Sequence, residues 1–382
     1  MTKLSGNVVD YIRNHGDQDF WRRDFNDVDS LVLATLCYLD WDQTPFAKIA
    51  NFNCTIAELH QLAHAHKLSW LMWNSDRGAE LLRALAASKR YQNVLIHHYR
   101  REVEPDQQKQ FAAITYTLDT DSGYIDYVAF QGTDDSLNGW KEDLNMTFVR
   151  HLPAQRAAAD YLRYIATLSD NKLIVGGHSK GGNLAMYASL KASMDVKHRI
   201  VNIYDHDGPG FLPNTFTNID RLGVRGKIRK TVPQMAFFGM LLDDQFDTKS
   251  TVVLSDGKSL FQHDTLTWQI DGTEFATCDQ PSKLSKYYVR TIRRWLTKLD
   301  ATERQAFVDN LYDILASTNQ VTDQGIKEYI FANMPVIIKQ IHASDPEVRN
   351  VITKTLKLLA SSSVSEARAT ISGRLRRLFN KK

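Results

Sequence analysis

The sequence predicts an α/β fold with a mostly parallel central sheet flanked by helices, a helical N-terminal lead-in and a helical C-terminal region. Three observations favour it. A strand, a helix and a second strand follow one another between residues 172 and 210, an order typical of parallel sheets covered by helices. A hairpin pattern rich in β-branched and aromatic residues spans 111–133. Strand signals vanish from about residue 281, where the pattern becomes helical.

The N-terminal part of the chain reads as helical. Residues 26–41 have the pattern of a capped, buried helix, and residues 78–100 form a further helical candidate. Between them, Thr55 and Glu58 have the spacing of a capping box. We expect residues 1–107 to form a helical lead-in packed on the core.

The core is predicted over residues 108–280, followed by a helical C-terminal region over 281–382. Within the core the hairpin comes first, and a helix follows it over 156–169. The remaining segments are a strand KLIVGG, a helix GGNLAMYASLKAS, a strand IVNIYDHDGPG that runs into a loop, and two more strands, KIRKTVPQ and STVVLSDG.

Composition narrows the class of protein. The 382 residues are 43% apolar and 24% charged, which suits a globular chain with a sizeable core. A formal charge of +3 is close to balance and does not indicate a nucleic-acid binder.

Cys37, Cys54 and Cys278 are scattered, which favours a reducing compartment over a disulfide framework or zinc site. The N-terminus lacks a signal-peptide pattern, and no apolar run approaches the roughly 18 residues of a spanning helix. We therefore expect a cytoplasmic protein.

The segment Gly177-His178-Ser179-Lys180-Gly181 matches the pattern G-x-S-x-G of a nucleophile elbow. The glycines make room for a sharp strand-to-helix turn from which the serine hydroxyl projects. The predicted helix that follows directs its amides and positive dipole end at an oxyanion. The alternative is a tight turn in which Ser179 only caps the helix.

A serine nucleophile needs a base, and His263 is the preferred candidate. It lies in a loop after the last predicted strand, which fits the order serine, acid, histidine. His198 lies in a charged stretch and His342 in the helical tail, whereas His206 would need its acid upstream, against that order. The alternative for His263 is a surface-loop histidine bonded to Asp264.

The acid is less sharply defined. Asp207 stands at the end of the strand after the elbow helix, in a turn rich in glycine, and is preferred for that reason. Its alternative role is a turn-forming side chain. Asp243, Asp244 and Asp247 follow the next strand-like segment and offer a second location for the acid. The acid would orient His263 and stabilise the imidazolium.

The oxyanion hole needs two donors. The Lys180 amide is one, and the Thr133 amide, in the loop that follows the hairpin at Gly132, is the candidate for the other. An ordinary turn is the alternative for this loop. We expect no cofactor and no metal, because neither a phosphate-binding glycine loop nor a pair of suitably spaced histidines is found in the sequence.

Together, the stretches VAFQGTDDSLNGWKEDLNMTF and GGHSKGGNLA resemble the class 3 lipase pattern. The longer set FNDVDSLVLATLCYLDW, GHSKGGNLAMYA, DGPGF, VPQ, GMLL and QHDTLTW more closely resembles a largely bacterial group of lipase-like α/β-hydrolases, over roughly residues 20–275. That resemblance implies an α/β-hydrolase fold with Ser179 as nucleophile and His263 as base.

Two positions depart from the class 3 pattern. Gln131 stands where those lipases usually carry arginine, and Lys230 and Thr231 precede Val232 where their acid is found. Pancreatic-type lipases carry the acid one strand earlier, in a loop that the stretch beginning at Asp207 resembles. This resemblance favours Asp207.

The sequence thus favours an esterase or lipase-like serine hydrolase that acts on an acyl ester or lipid in lipid metabolism. Two alternatives stay open: a catalytically impaired hydrolase-fold interaction protein, and an acyltransferase or thioesterase with the same nucleophile.

The apolar segment 236–242 is either a lid or acyl-chain wall, or a buried helix. A basic C-terminus would allow peripheral contact with an anionic membrane. Its residues are Arg374, Arg376, Arg377, Lys381 and Lys382.

Overall fold

A computed structural model describes residues 6–49, 51–66, 68–71, 75–134, 137–242, 249–298, 300 and 302–305. Nine strands form one large sheet in the order β1-β2-β3-β4-β5-β6-β7-β8-β11, and β9 and β10 form a separate ribbon. The strands are β1 (Asn53–Thr55), β2 (Leu95–Glu104), β3 (Lys109–Thr120), β4 (Gly123–Phe130), β5 (Lys172–His178), β6 (Ile200–His206), β7 (Ile228–Pro233), β8 (Thr251–Val253), β9 (Ile270–Asp271), β10 (Glu274–Phe275) and β11 (Thr277–Cys278).

Helices precede, separate and follow these strands. They are α1 (Val8–His15), α2 (Asp27–Leu36), α3 (Ile56–His66), α4 (Ser75–Ala87), α5 (Leu137–Asn145), α6 (Pro153–Leu168), α7 (Lys180–Lys191), α8 (Met194–Arg199), α9 (Asn218–Arg221) and α10 (Lys283–Lys298).

The sheet is mixed, so the prediction of a mostly parallel sheet is wrong. Strands β4 to β8 pair in parallel, each with the next. The pairs β1–β2, β2–β3, β3–β4 and β8–β11 are antiparallel. The parallel strands require crossover connections, whereas β2, β3 and β4 follow one another as a meander with short connections. The β3–β4 turn, where Thr120 pairs with Gly123, confirms the predicted hairpin.

The helical prediction for residues 78–100 is correct only in part. Helix α4 ends at Ala87, and β2 begins at Leu95 and pairs with both β1 and β3. Two strands of the sheet therefore lie within the N-terminal segment that the sequence indicated as a helical lead-in. The predicted capping box is present, because the Thr55 hydroxyl accepts from the Glu58 amide at 3.2 Å while the Glu58 carboxylate accepts from the Thr55 amide at 2.7 Å.

Apolar side chains cover both faces of the sheet. Along β5, Leu173 and Val175 face a cluster that includes α6 and α7, whereas Ile174 belongs to a second cluster with the N-terminal helices. This alternation follows from the period of two in a strand. The sheet is thus buried on both sides, and the carboxyl ends of its parallel strands meet along one edge, where the candidate site lies.

At the C-terminal end, helix α10 lies at the start of the predicted helical region, and residues 302–305 are also helical. Residues 306–382, including the basic C-terminus, lie outside the described residues. Among the helices that the structure describes, none combines the length and the apolar character needed to cross a bilayer.

The N-terminal helices are fastened by a fully buried ion pair. Arg90 Nη2 lies 2.5 Å from Asp29 Oδ2, with both side chains 0% exposed, and Arg90 also donates to the backbone carbonyls of Gln18, Asp19, Arg23 and Asp24. Removal of one partner of such a pair leaves a buried charge without compensation.

Replacement Arg90→Met is therefore expected to lower the free energy of unfolding by about 3–5 kcal/mol. Urea denaturation measures this loss. The matched control Arg163→Met removes an exposed ion pair with Asp160 and should change stability by less than about 1 kcal/mol. Equal losses in the two variants would contradict the structural role of the buried pair.

Candidate active site

Ser179 occupies a strained turn between β5 and α7. Its backbone has φ 57° and ψ −130°, in a region that non-glycine residues rarely adopt. The Ser179 amide donates to the carbonyl of His206 at the end of β6 (2.9 Å), and its carbonyl accepts from the Gly182 amide (2.9 Å). These bonds fix the turn from both sides. The arrangement is the strand–turn–helix context that the pattern G-x-S-x-G requires.

The two predicted elbow glycines allow this turn to pack. A Cβ atom at Gly181 would lie 2.1 Å from the carbonyl oxygen of Phe130, and one at Gly177 would lie 2.3 Å from the carbonyl carbon of Gly181. Both contacts are with backbone atoms, so any side chain would force the turn or the end of β4 to move.

The structure brings His263 and Asp207 together. The imidazole Nδ1 lies 2.6 Å from Asp207 Oδ2, and both side chains are largely buried. His263 belongs to a 3₁₀ turn over Ser259–His263, and Asp207 directly follows β6. Residues distant in sequence thus form one hydrogen-bonded pair, in which Nδ1 faces the carboxyl group and Nε2 is left for another partner.

The His263 ring is held between two other rings. Its centroid lies 4.4 Å from that of His178 and 4.3 Å from that of Phe238. His178 immediately precedes Ser179, and its own Nδ1 is hydrogen-bonded to the Tyr38 hydroxyl at 2.9 Å. This packing places the imidazole of His263 beside the elbow.

Asp207 is fixed by its own backbone and by a neighbouring amide. Its φ is 54°, a left-handed value, and its amide donates to the Thr231 carbonyl at 2.7 Å. Its Oδ1 accepts from the Gly239 amide at 3.0 Å. The carboxyl group therefore has one oxygen on a backbone donor and the other on His263.

Burial acts on the protonation of both groups. It lowers the pKa of the His263 imidazole to about 3, which keeps the ring neutral at rest. Burial raises the pKa of the Asp207 carboxyl well above its usual value, and the charge of Lys230 and the Gly239 N–H offset only part of this increase. The 2.6 Å contact with His263 Nδ1 requires one hydrogen between the ring nitrogen and the carboxyl group.

The candidate second oxyanion donor lies close to the elbow. A Cβ at Gly132 would lie 2.8 Å from the carbonyl oxygen of His178, so the loop that carries Thr133 runs against the turn. The Thr133 hydroxyl donates to Asp143 Oδ2 at 2.5 Å. Burial raises the pKa of Asp143 to about 6, against the opposing effect of the Lys180 charge. The loop is thus anchored to α5 through a carboxyl group.

The first candidate donor, the Lys180 amide, lies at the start of helix α7. Amides in the first turn of a helix have no acceptor within the helix, and the helix dipole adds positive potential there. An anion beside Ser179 would therefore face favourable electrostatics on the α7 side.

Other predicted residues lie elsewhere or have other partners. His206 is buried, and its Nε2 is bonded to the Ser30 hydroxyl at 2.9 Å. Gln131 is buried and donates to the carbonyl of Cys37 at 2.6 Å. Lys230 pairs with Asp205 at 2.6 Å. The alternative acids Asp243, Asp244 and Asp247 lie outside the described residues.

Sequence reasoning missed the residues that support the pair. Phe238 and Gly239 contact His263 and Asp207 through a ring face and a backbone amide, and neither contact has a motif. Asp143 lies in a stretch that resembles class 3 lipases, but the sequence predicts no role for it. Tyr38 supports His178 from the N-terminal segment, for which the sequence predicts only packing on the core. Within the described part of the chain, no three histidine, cysteine, aspartate or glutamate residues are grouped as a metal site would require.

The chain is similar to one protein family and to a solved lipase structure. A family model described as Mbeg1-like matches residues 85–313, which is more than half of the chain. Among solved structures, lipase II from Rhizopus niveus is similar over 63% of this chain and 86% of its own, with 17% sequence identity and a TM-score of 0.31. No curated protein matches the chain in sequence.

Proposed function

Because the chain belongs to the Mbeg1-like family, a lipase-like family, we propose that it is a serine hydrolase that cleaves carboxylic esters. The observation that carries the proposal is the buried His263–Asp207 pair, packed on the residue that precedes the strained Ser179. A serine on a sharp turn, a neutral imidazole packed on the residue before it and a carboxyl group on Nδ1 of that imidazole would supply the three parts of a nucleophilic triad.

In this mechanism, the Ser179 hydroxyl attacks the ester carbonyl and His263 Nε2 takes its proton. The carbonyl becomes a tetrahedral oxyanion, and its collapse breaks the bond to the alcohol, which leaves with the proton from His263. Water then attacks the acyl-enzyme by the same route and releases the acid. Asp207 holds the ring in the required tautomer and stabilises the imidazolium.

The oxyanion would be bound by the amides of Lys180 and Thr133. The Lys180 amide is supported by its place at the start of α7, and Thr133 by the hydrogen bond of its side chain to Asp143. Donors that are fixed before the reaction need no reorganisation as charge develops, and this is why such a hole accelerates acyl transfer.

Segment 236–242 would serve as a wall of the site. Phe238 packs on the base and the Gly239 amide bonds to the acid, so this part of the segment belongs to the support of the triad. Apolar residues beside a reacting serine suit the acyl chain of an ester or lipid. The proposed substrate is therefore an acyl ester with an apolar chain.

Two contacts support catalysis over an impaired interaction protein. Asp207 would take the place of the acid absent before Val232, because it directly follows the preceding parallel strand and lies within hydrogen-bond distance of His263. Gln131, in place of the usual arginine, has a buried partner in the Cys37 carbonyl. We therefore favour a catalytically active hydrolase over an impaired interaction protein.

A panel of p-nitrophenyl esters and acyl thioesters of increasing chain length tests the activity. We expect turnover with release of free acid, and a preference for esters. Transfer of the acyl group to added alcohol or thiol in preference to water would identify an acyltransferase, and preference for thioesters a thioesterase. Absence of any turnover across the panel would contradict the proposal.

We propose a cytoplasmic location from the scattered cysteines, and peripheral contact with anionic membranes through the basic C-terminus. Sedimentation with vesicles that contain phosphatidylserine, compared with neutral vesicles, tests the second point.

A further inference from the structure

Lys180 carries a side chain that the proposed chemistry does not use. It is 1% exposed, and its ammonium lies 3.1 Å from Glu142 Oε2 and 3.0 Å from the backbone carbonyl of Gln110. It also donates to the side-chain oxygen of Gln110. Lysine is almost never fully buried unless it is paired, so this placement requires the partners that surround it.

Glu142 completes the cluster from the other side. It is 0% exposed; its Oε2 also accepts from the Gln110 amide at 3.0 Å, and its Oε1 accepts from the Ala154 amide at 3.0 Å. The carboxylate thus joins α5 to β3 and to the first turn of α6. Through Lys180, the same carboxylate also reaches the start of α7.

The position of the pair in the chain links the two proposed oxyanion donors. Lys180 directly follows Ser179, and its own amide is the first donor. Glu142 directly precedes Asp143, which accepts from the Thr133 hydroxyl and so anchors the second donor. A contact between the side chains of Lys180 and Glu142 therefore fixes α7 relative to α5, and one donor relative to the other.

Stability alone does not account for two charges at this place. Desolvation of a buried ion pair offsets much of its attraction, and apolar replacement of both partners is often neutral or stabilising. The best-attested role of buried charged groups is to specify one packing arrangement of the surrounding elements over its alternatives. Small displacements of oxyanion donors have large effects on rate, because the donors must lie within hydrogen-bond distance of the developing charge.

We propose that the Lys180–Glu142 ion pair is a positioning device that holds the two halves of the oxyanion hole in register. The inference rests on the proposed function. It concerns the side chain of Lys180, whereas the amide of the same residue is the donor, so substitution of the side chain leaves the donor in the chain.

The test compares Lys180→Met, Glu142→Gln and the double variant in the full-length chain. For each we measure urea stability, kcat and KM for a p-nitrophenyl ester, and the second-order rate of labelling by a fluorophosphonate probe. The probe forms a tetrahedral adduct whose oxygen occupies the oxyanion hole, so its labelling rate is a second measure of the hole that does not depend on ester turnover. Arg90→Met, which breaks the buried ion pair with Asp29, is the control for a loss of stability without a change at the oxyanion hole.

We expect kcat and the labelling rate to fall by about 10- to 100-fold in each single variant, which is no more than the fall in kcat expected when one oxyanion donor is removed. KM should be nearly unchanged. The double variant should regain stability relative to Lys180→Met, because no buried carboxylate is left without a partner, yet keep the low kcat. Arg90→Met should lose stability and retain the kcat of its folded fraction.

Wild-type kcat and labelling in the folded single variants would overturn the inference. Recovery of kcat together with stability in the double variant would do the same, because the pair would then be structural only. If the wild-type protein neither hydrolyses esters nor reacts with the probe, the proposed function fails, and the inference falls with it.

Discussion

Ser179→Ala is expected to abolish ester hydrolysis, with a loss of kcat on the order of 10⁴- to 10⁶-fold. The hydroxyl is the only group of the protein that forms a bond to the acyl carbon in the proposed mechanism, so no acyl-enzyme forms without it. Some acceleration over water should survive, because the oxyanion donors and the binding surface are still present. Turnover of a short p-nitrophenyl ester, followed at saturating substrate, measures the loss.

A matched control comes from the segment that follows the same helix. Ser193 is exposed, and its side chain makes no capping hydrogen bond at the start of α8, so Ser193→Ala should retain the wild-type kcat. Folding of Ser179→Ala is checked by urea denaturation. Substantial turnover in a folded Ser179→Ala variant would remove this serine from the mechanism.

The second large effect is expected for Asp207→Asn, with kcat lower by about 10³- to 10⁴-fold. The amide no longer favours a proton on Nδ1 of His263, so the ring loses the tautomer in which Nε2 accepts from the serine. Asparagine tolerates the left-handed backbone of this position as readily as aspartate does. The loss should therefore come from the side-chain chemistry and not from backbone strain.

The alternative acids provide the comparison. Asp243→Asn, Asp244→Asn and Asp247→Asn, assayed with the same ester, are expected to keep kcat within a few-fold of wild type. If one of these three variants lost activity while Asp207→Asn did not, the acid would have to be reassigned to that loop.

The elbow could be predicted because local sequence determines it. A short apolar strand, glycines on both sides of a serine and a helical pattern specify the turn without knowledge of the rest of the chain, and β5, Ser179 and α7 lie where this pattern indicates. The hairpin of β3 and β4 is equally local, since its two strands are separated by one turn. Both signals arise from the side-chain period and from glycine.

The mixed sheet could not be predicted in the same way. Strand β2, LIHHYRREVE, carries several charged or histidine side chains and no regular alternation, and β1 has only three residues. Their strand structure depends on pairing with β3, a contact that the sequence around residue 95 does not reveal. Because the helical pattern of α4 was the stronger signal, the predicted helix extends to residue 100, past the observed end of α4 at Ala87.

The support of the candidate site also depends on tertiary contacts. Gly239 acts through its backbone amide, which leaves no trace in the residue type. Lys180 would be expected at the surface by its charge, and only the position of Glu142 in three dimensions explains its burial. Sequence patterns thus indicate the candidate reacting residues, whereas the residues that hold those candidates in place are visible only in the fold.

The location of a fluorophosphonate adduct is the most direct test of a nucleophilic serine in this protein. The full-length chain would be labelled, digested, and examined by tandem mass spectrometry. We expect one adduct, on Ser179 within the peptide that spans the end of β5 and the start of α7, and no labelling of Ser179→Ala. An adduct on another residue, or equal labelling of the alanine variant, would show that Ser179 is not the nucleophile.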